Sequence, residues 1–244
     1  MFNIYSTPKQ FWQQLVFIFV LTLLTQIANV AYQKFSAGDP FLPTILPSFI
    51  FLSVLTIPSI LIGLKLGKPL GLGLVNQVEN ESNTLKDGLK FAITASIPLG
   101  LALLAVRWGL EPFISENAPE YGFRGPIGGL LVSLGAGVGE EVWFRFGLTT
   151  LLLFGVYKFS SSAKPSNRTA MAIILFVGIG FGLAHLPQLA SFDADTTFSV
   201  WGTIIGNLAV SALYGWCFWR YGLISAVVAH FTVDIVLHFI TAFF

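Results

Sequence analysis

Residues 125–157 read GPIGGLLVSLGAGVGEEVWFRFGLTTLLLFGVY, an apolar run whose only charged residues are Glu140, Glu141 and Arg145. As one helix this run would be ~50 Å long at 1.5 Å per residue, against a bilayer hydrocarbon core of ~30 Å. It must therefore tilt, extend past the core or break. Gly128, Gly129, Gly135, Gly137 and Gly139 permit either a break or a close helix contact. A single crossing over 126–158 is expected. Charged side chains at membrane depth cost roughly 2.5–3.5 kcal/mol each on insertion scales, so they sit where they face a cavity or a partner.

The rest of the chain has the same character. Of its 244 residues, 55% are apolar and 10% charged, whereas a soluble domain carries about 25% charged residues. The other apolar runs (11–32, 42–64, 87–108, 168–188, 198–219 and 222–243) are about 20 residues long and do not alternate in polarity. That pattern excludes barrel strands of ~10 alternating residues. The fold class is all-α, a polytopic transmembrane helical bundle of about seven to eight spans. Phe11–Ala31 is read as the first span, being too long for the 7–15-residue core of a signal peptide. The stretch 65–85 is too polar to cross and is expected to lie along the interface.

Basic residues suggest an orientation. With the N-terminus inside, Lys9, Lys65, Lys68, Lys86, Lys90, Lys158, Lys164, Arg168 and Arg220 fall on the inner side, and only Lys34, Arg107 and Arg124 on the outer. That asymmetry follows the positive-inside rule. With Cys217 the single cysteine, an intrachain disulfide and an all-cysteine metal site are excluded. The net charge of +1, with no basic patch and no phosphate-binding glycine motif, gives no reason to expect a nucleic-acid partner.

Three clusters of residues could carry chemistry. On a helix, Glu141 and Arg145 are four apart and can pair. Glu140 is turned by ~100° from Glu141 and is free to face another environment, so the two carboxylates can take different roles. A buried ion pair that only locks helices together would account for Glu141 and Arg145 but not for Glu140. FGLAH, residues 181–185, places His185 at a helix end before Pro187; taken alone, such a histidine commonly just bonds to a carbonyl. HFTVDIVLH, residues 230–238, aligns His230, Asp234 and His238 on one face. Asp234 could orient His230 or join it in ligating a metal, and a self-satisfied His–Asp pair is the plain structural alternative.

The ordered set EExxxR, FxxxH and HxxxD, each in its own apolar helix, resembles the CAAX prenyl protease 2 and Abi (CPBP) family of intramembrane endopeptidases. The resemblance spans about 126–243 and includes the glycine-rich lead-in and the tryptophan of EEVWFR. It divides one integral membrane unit into N-terminal helices without a motif (1–125) and a protease core (126–244). The family pattern implies that Glu140 activates the attacking water, that Glu141, Arg145 and Phe181 support it, and that His185, His230 and Asp234 complete the catalytic set. The family commonly has Asn where this chain has Asp234, and an ionised Asp accepts hydrogen bonds but cannot donate one to an oxyanion.

Peptide hydrolysis needs a base for water, an electrophile for the carbonyl oxygen and an acid for the leaving amine. Glu140 can be base and then acid. His185 and His230 could stabilise the oxyanion, or with Asp234 hold a divalent metal such as zinc that lowers the pKa of water. HExxH is absent, which excludes the usual zincin arrangement. The implied partners are the lipid bilayer and a membrane-associated peptide, CAAX-type prenylated proteins among the candidates, and the 24 phenylalanines suit a lipid-lined cavity. The compact loops suggest a prokaryotic cytoplasmic membrane. The rival function is a catalytically silent membrane partner, such as a bacteriocin-immunity-like scaffold. A transporter would show internal repeats, and no second EE or HxxxD motif occurs in the first half.

Straight helices leave one conflict. Glu140 would lie ~21 Å from the outer face, His185 ~25 Å from the inner face, and His230 only ~12 Å from the inner face. These groups would not share a level.

Overall fold

The computed structural model describes residues 7–76, 84–160 and 164–244. All regular structure among them is helical, and seven helices are long and apolar enough to cross a membrane. Helix α1 (Pro8–Ser36) begins with a capping box, in which the Thr7 side chain accepts from the Gln10 backbone and the Gln10 side chain accepts from that of Thr7. It is followed by α2 (Leu42–Leu66) and α3 (Thr84–Leu110). The decisive stretch forms α4 (Gly125–Glu140), a π-helical segment Glu141–Thr149, and α5 (Thr150–Phe159). Then come α6 (Asn167–Ala184), a short α7 (Leu186–Ala190), α8 (Thr197–Tyr221) and α9 (Leu223–Asp234). Helix α9 continues through a π turn at Ile235–Phe239 and a 3-10 turn at Ile240–Phe243.

The 35-residue run Gly125–Phe159 is thus one helix that widens rather than breaks. In a π segment each N–H reaches one carbonyl further back, which would leave local polar groups unpaired in lipid unless something else satisfied them. Two threonines add side-chain donors there. Thr149 Oγ1 donates to the Phe144 carbonyl at 2.8 Å and Thr150 Oγ1 to the Arg145 carbonyl at 3.2 Å, each five residues back.

The stretch expected at the interface also ties helix ends together. Within 65–76 a short 3-10 turn at Lys68–Leu70 leads into a loop that packs under the α8–α9 turn. Asn76 Nδ2 donates to the carbonyls of Phe218 (2.7 Å) and Trp219 (2.9 Å). The N–H groups of Leu223 and Ile224 donate to the carbonyls of Gly73 (3.0 Å) and Leu74 (3.1 Å). The polar residues here serve as a strap for helix ends, and 77–83 lie outside the described residues.

Lipid is as apolar as leucine, so helices in it associate through close backbone approach and interhelical hydrogen bonds rather than through a hydrophobic drive. Both devices surround α4. Gly129 abuts the His238 carbonyl, and a Cβ on Gly137 would lie 3.3 Å from Phe231. Gln26 of α1 donates to the Gly135 carbonyl at 2.8 Å, Trp143 Nε1 donates to Thr56 of α2 at 3.0 Å, and Ser96 of α3 donates to the Ala229 carbonyl of α9 at 3.0 Å. The motif-free helices α1–α3 therefore clamp the helices that carry the charges. Large apolar side chains such as Phe17, Phe51, Phe176 and Trp201 point outward, as a lipid-facing surface requires.

A methyl group at Gly129 has no room against the α9 backbone, whereas a methyl group at Gly155 would meet nothing within 4 Å. Gly129→Ala is expected to destabilise the protein by about 1–3 kcal/mol, the usual range for overpacking. Gly155→Ala should be neutral or mildly stabilising through helix propensity. Thermal unfolding in detergent checks the pair, and equal midpoints would contradict the α4–α9 contact.

Candidate active site

At the junction of α4 and the π segment, the two adjacent glutamates diverge. Glu141 is fully buried and its Oε1 lies 3.0 Å from Arg145 Nη1, side chains 0% and 1% exposed. This is the pair anticipated from the four-residue spacing. It is a charge contact rather than an aligned hydrogen bond, because Arg145 Nη1 has no partner of good hydrogen-bond geometry among the described residues. The other arm of the guanidinium is well bonded, Nη2 donating to Ser211 Oγ of α8 at 2.8 Å. Phe181 and Tyr214 flank the guanidinium with ring centroids 4.6 and 5.4 Å away, an arrangement that favours a desolvated cation.

His230 docks onto the same carboxylate. Its Nδ1 lies 2.8 Å from Glu141 Oε1 and donates to it, so the tautomer is assigned from the acceptor it faces. Tyr214 stacks on the imidazole, centroids 4.4 Å apart at 15°. The Nε2 edge of His230 is thereby turned into a cavity of about 670 Å³. It faces Glu140 Oε2 at 3.8 Å and Asp234 Oδ2 at 3.6 Å. Both separations are too long for direct hydrogen bonds and match groups that share an intervening polar atom. Glu140 Oε2 is buried without a hydrogen-bond partner among the described residues.

His185 caps α6. Its Nδ1 donates to the Phe181 carbonyl at 2.8 Å, the contact a helix-end histidine commonly makes. Yet the ring also borders the cavity. The Phe181 ring bridges the two imidazoles, 4.7 Å from that of His185 and 6.0 Å from that of His230.

The predicted residues Glu140, His185, His230 and Asp234 all line this one cavity, with Glu141, Arg145 and Phe181 packed behind or beside it. Rise along straight, upright helices is a poor guide to depth here, since the four side chains border one cavity. One expectation changes. The group that fixes His230 is Glu141, not Asp234, whose carboxylate stands on the Nε2 side at a longer distance.

Sequence reasoning missed Tyr214 and Ser211. Their signal was faint, two polar side chains three apart in SALYGW on a helix with several other polar residues. A three- or four-ligand metal site has no matching donor cluster, since among the described residues no three His, Cys, Asp or Glu side chains are grouped to hold one ion.

With this geometry in view, residues 122–236 match the family model described as type II CAAX prenyl endopeptidase, Rce1-like. The match covers just under half of the chain, the part that holds all three motifs. That family is one of proteases, and the seven apolar helices make this chain an integral membrane protein. The matched segment begins at Gly122 and ends two residues beyond Asp234, and thus contains every residue of the cavity cluster named above. Neither curated proteins nor solved structures gave a match.

Breaking a buried ion pair costs about 3–5 kcal/mol because one charge is left uncompensated. Arg145→Met is therefore expected to lower the thermal midpoint sharply. Glu141→Gln combined with Arg145→Met should recover part of that loss, because neither charge then remains. A double variant as unstable as the sum of the two singles would contradict the coupling.

Proposed function

We propose that this protein is an endopeptidase that cleaves a membrane-associated substrate, CAAX-type prenylated proteins among the candidates, by glutamate-activated water. The observation that carries the reading is the unpaired, buried Glu140 Oε2 facing His230 Nε2 inside the cavity. A water held by Glu140 transfers a proton to that carboxylate as its oxygen adds to the peptide carbonyl carbon. Glu140 then passes the proton to the departing amine, and the C–N bond breaks. This shuttle balances without another reagent.

His230 and His185 each commit Nδ1 to a protein acceptor, Glu141 and the Phe181 carbonyl respectively. Each can donate from Nε2 to a developing oxyanion only as the imidazolium. For His230, Glu141 then serves as the counter-ion on the opposite edge of the ring, much as a buried carboxylate stabilises imidazolium in serine proteases. Asp234, bordering the same space, can accept from the attacking water and so aim it. The donor set does not close around an ion, so this scheme uses none. The compact loops support placing the enzyme in a prokaryotic cytoplasmic membrane.

Full-length protein in liposomes, incubated with a detergent extract of membrane proteins, tests the scheme by mass spectrometry of released fragments. Glu140→Gln is expected to lower fragment release by about 10²–10⁴-fold, the usual contribution of a general base, without lowering the thermal midpoint. A strong chelator such as 1,10-phenanthroline should leave the wild-type rate unchanged. Loss of activity on chelation, restored by added zinc, would overturn the metal-free reading.

A further inference from the structure

The ring of Tyr214 is held from several sides, yet its hydroxyl holds nothing. Helix α8 is fixed here by Ser211, whose Oγ accepts from Arg145 Nη2 at 2.8 Å, and by Gly215, where a Cβ would have no room against Ile174 of α6. Three residues after Ser211, Tyr214 comes round to the same face. Its ring lies nearly parallel to the His230 imidazole, centroids 4.4 Å apart at 15°, and 5.4 Å from the Arg145 guanidinium. The side chain is almost wholly enclosed, at 1% exposure.

A buried phenol usually finds a hydrogen-bond partner. The Tyr214 hydroxyl bonds to no described residue, and it is not one of the sealed, unpaired oxygens such as Thr22 Oγ1 and Ser225 Oγ. It therefore opens on the cavity that the ring borders together with Glu140, His230 and Asp234. The Nδ1 edge of the imidazole is closed off by Glu141 and Arg145, which would have paired or sealed a hydroxyl placed there. The phenol thus serves the free, Nε2 side.

That side is short of donors. The side chains in ring or charge contact with His230 are Glu140, Glu141, Asp234, Phe181 and Tyr214. Ionised carboxylates only accept hydrogen bonds, and phenylalanine has no polar atom. With Nδ1 donating to Glu141, the neutral imidazole presents Nε2 as an acceptor as well. Within this group Tyr214 is the one side chain with a neutral proton to share.

We propose that the Tyr214 hydroxyl donates a hydrogen bond to the carbonyl oxygen of the scissile peptide and keeps that bond as the oxygen becomes negative. This rests on the endopeptidase reading above. Water adds to the carbonyl carbon, its proton passes to Glu140, and the π pair of the C=O bond moves onto oxygen. The phenol stabilises that charge without giving up its own proton. When the C=O bond re-forms, the C–N bond breaks and the amine leaves with the proton from Glu140. A donor fixed before the reaction needs no reorganisation as the charge develops. The stack keeps the phenol beside the edge of His230 that Glu140 faces, which brings donor and base to one peptide bond.

Full-length protein in liposomes is incubated with a detergent extract of membrane proteins, and fragment release is followed by mass spectrometry. Tyr214→Phe keeps the stacked ring and removes only the oxygen. It is expected to slow release by about 10²–10³-fold, the usual loss on removing one oxyanion donor, with an unchanged thermal midpoint. The loss should persist in about tenfold more extract, as a fall in kcat does and a fall in affinity does not. Para-aminophenylalanine at position 214 returns a neutral donor to the same end of the ring and should recover part of the rate. Para-methylphenylalanine there, similar in size but without a donor, should not. Release from Tyr214→Phe at the wild-type rate overturns the proposal and leaves the protease intact. Equal rates for the para-amino and para-methyl proteins also overturn it, and make Tyr214 a packing group for His230. Absence of fragments even from the wild type contradicts the endopeptidase reading, and the proposal falls with it.

Discussion

One carboxylate oxygen, Glu141 Oε1, holds the centre of this molecule together. It lies 3.0 Å from the Arg145 guanidinium and 2.8 Å from His230 Nδ1, with all three side chains buried. In a bilayer no water can take over from either partner, so the helices that bring them together must keep their register. The neighbouring features follow from that constraint. The π segment is the stretch that carries Glu141 and Arg145, and Thr149 and Thr150 add hydroxyl donors to its carbonyls. Glycine lines α4 where α9 must come close enough for His230 to reach. Ser211, Tyr214 and Phe181 close the remaining sides of the guanidinium and imidazole.

That buried node has a functional counterpart immediately beside it. Glu141 is fully consumed by structure, whereas Glu140, one residue earlier and turned by ~100°, faces the cavity with a free oxygen. Adjacent carboxylates in different surroundings can divide labour in this way, one holding geometry and the other moving protons. Fixing His230 through Nδ1 also sets which nitrogen meets the reacting groups.

Much of this was legible in the residues. The length and polarity of the apolar runs gave the seven crossings, and the charged residues within 125–157 marked the site because lipid makes them costly. The four-residue spacing of Glu141 and Arg145 predicted their pairing, and the order of the three motifs pointed to the family. What stayed hidden depended on geometry beyond simple periodicity. Helical rise alone placed His185 far from His230, whereas in the folded chain the Phe181 ring bridges the two imidazoles. Asp234 looked like the partner of His230 since it lies one turn away, but Glu141 arrives from another helix at a shorter distance. The polar stretch after α2 gave no sign that its asparagine and its carbonyls tie down the α8–α9 turn. Tyr214 and Ser211 are ordinary residues in an apolar helix until the fold sets them against the charges.

The central claim is that Glu140 turns a buried charge cluster into a proteolytic centre. Cells expressing the wild-type chain or Glu140→Ala at matched levels would be compared for the N- and C-termini of their membrane proteins. New termini that appear only with the intact glutamate are the predicted result, and they would name the substrate as well. Identical termini in both, with a cellular phenotype that persists in the variant, would contradict the account and leave a membrane partner without catalysis.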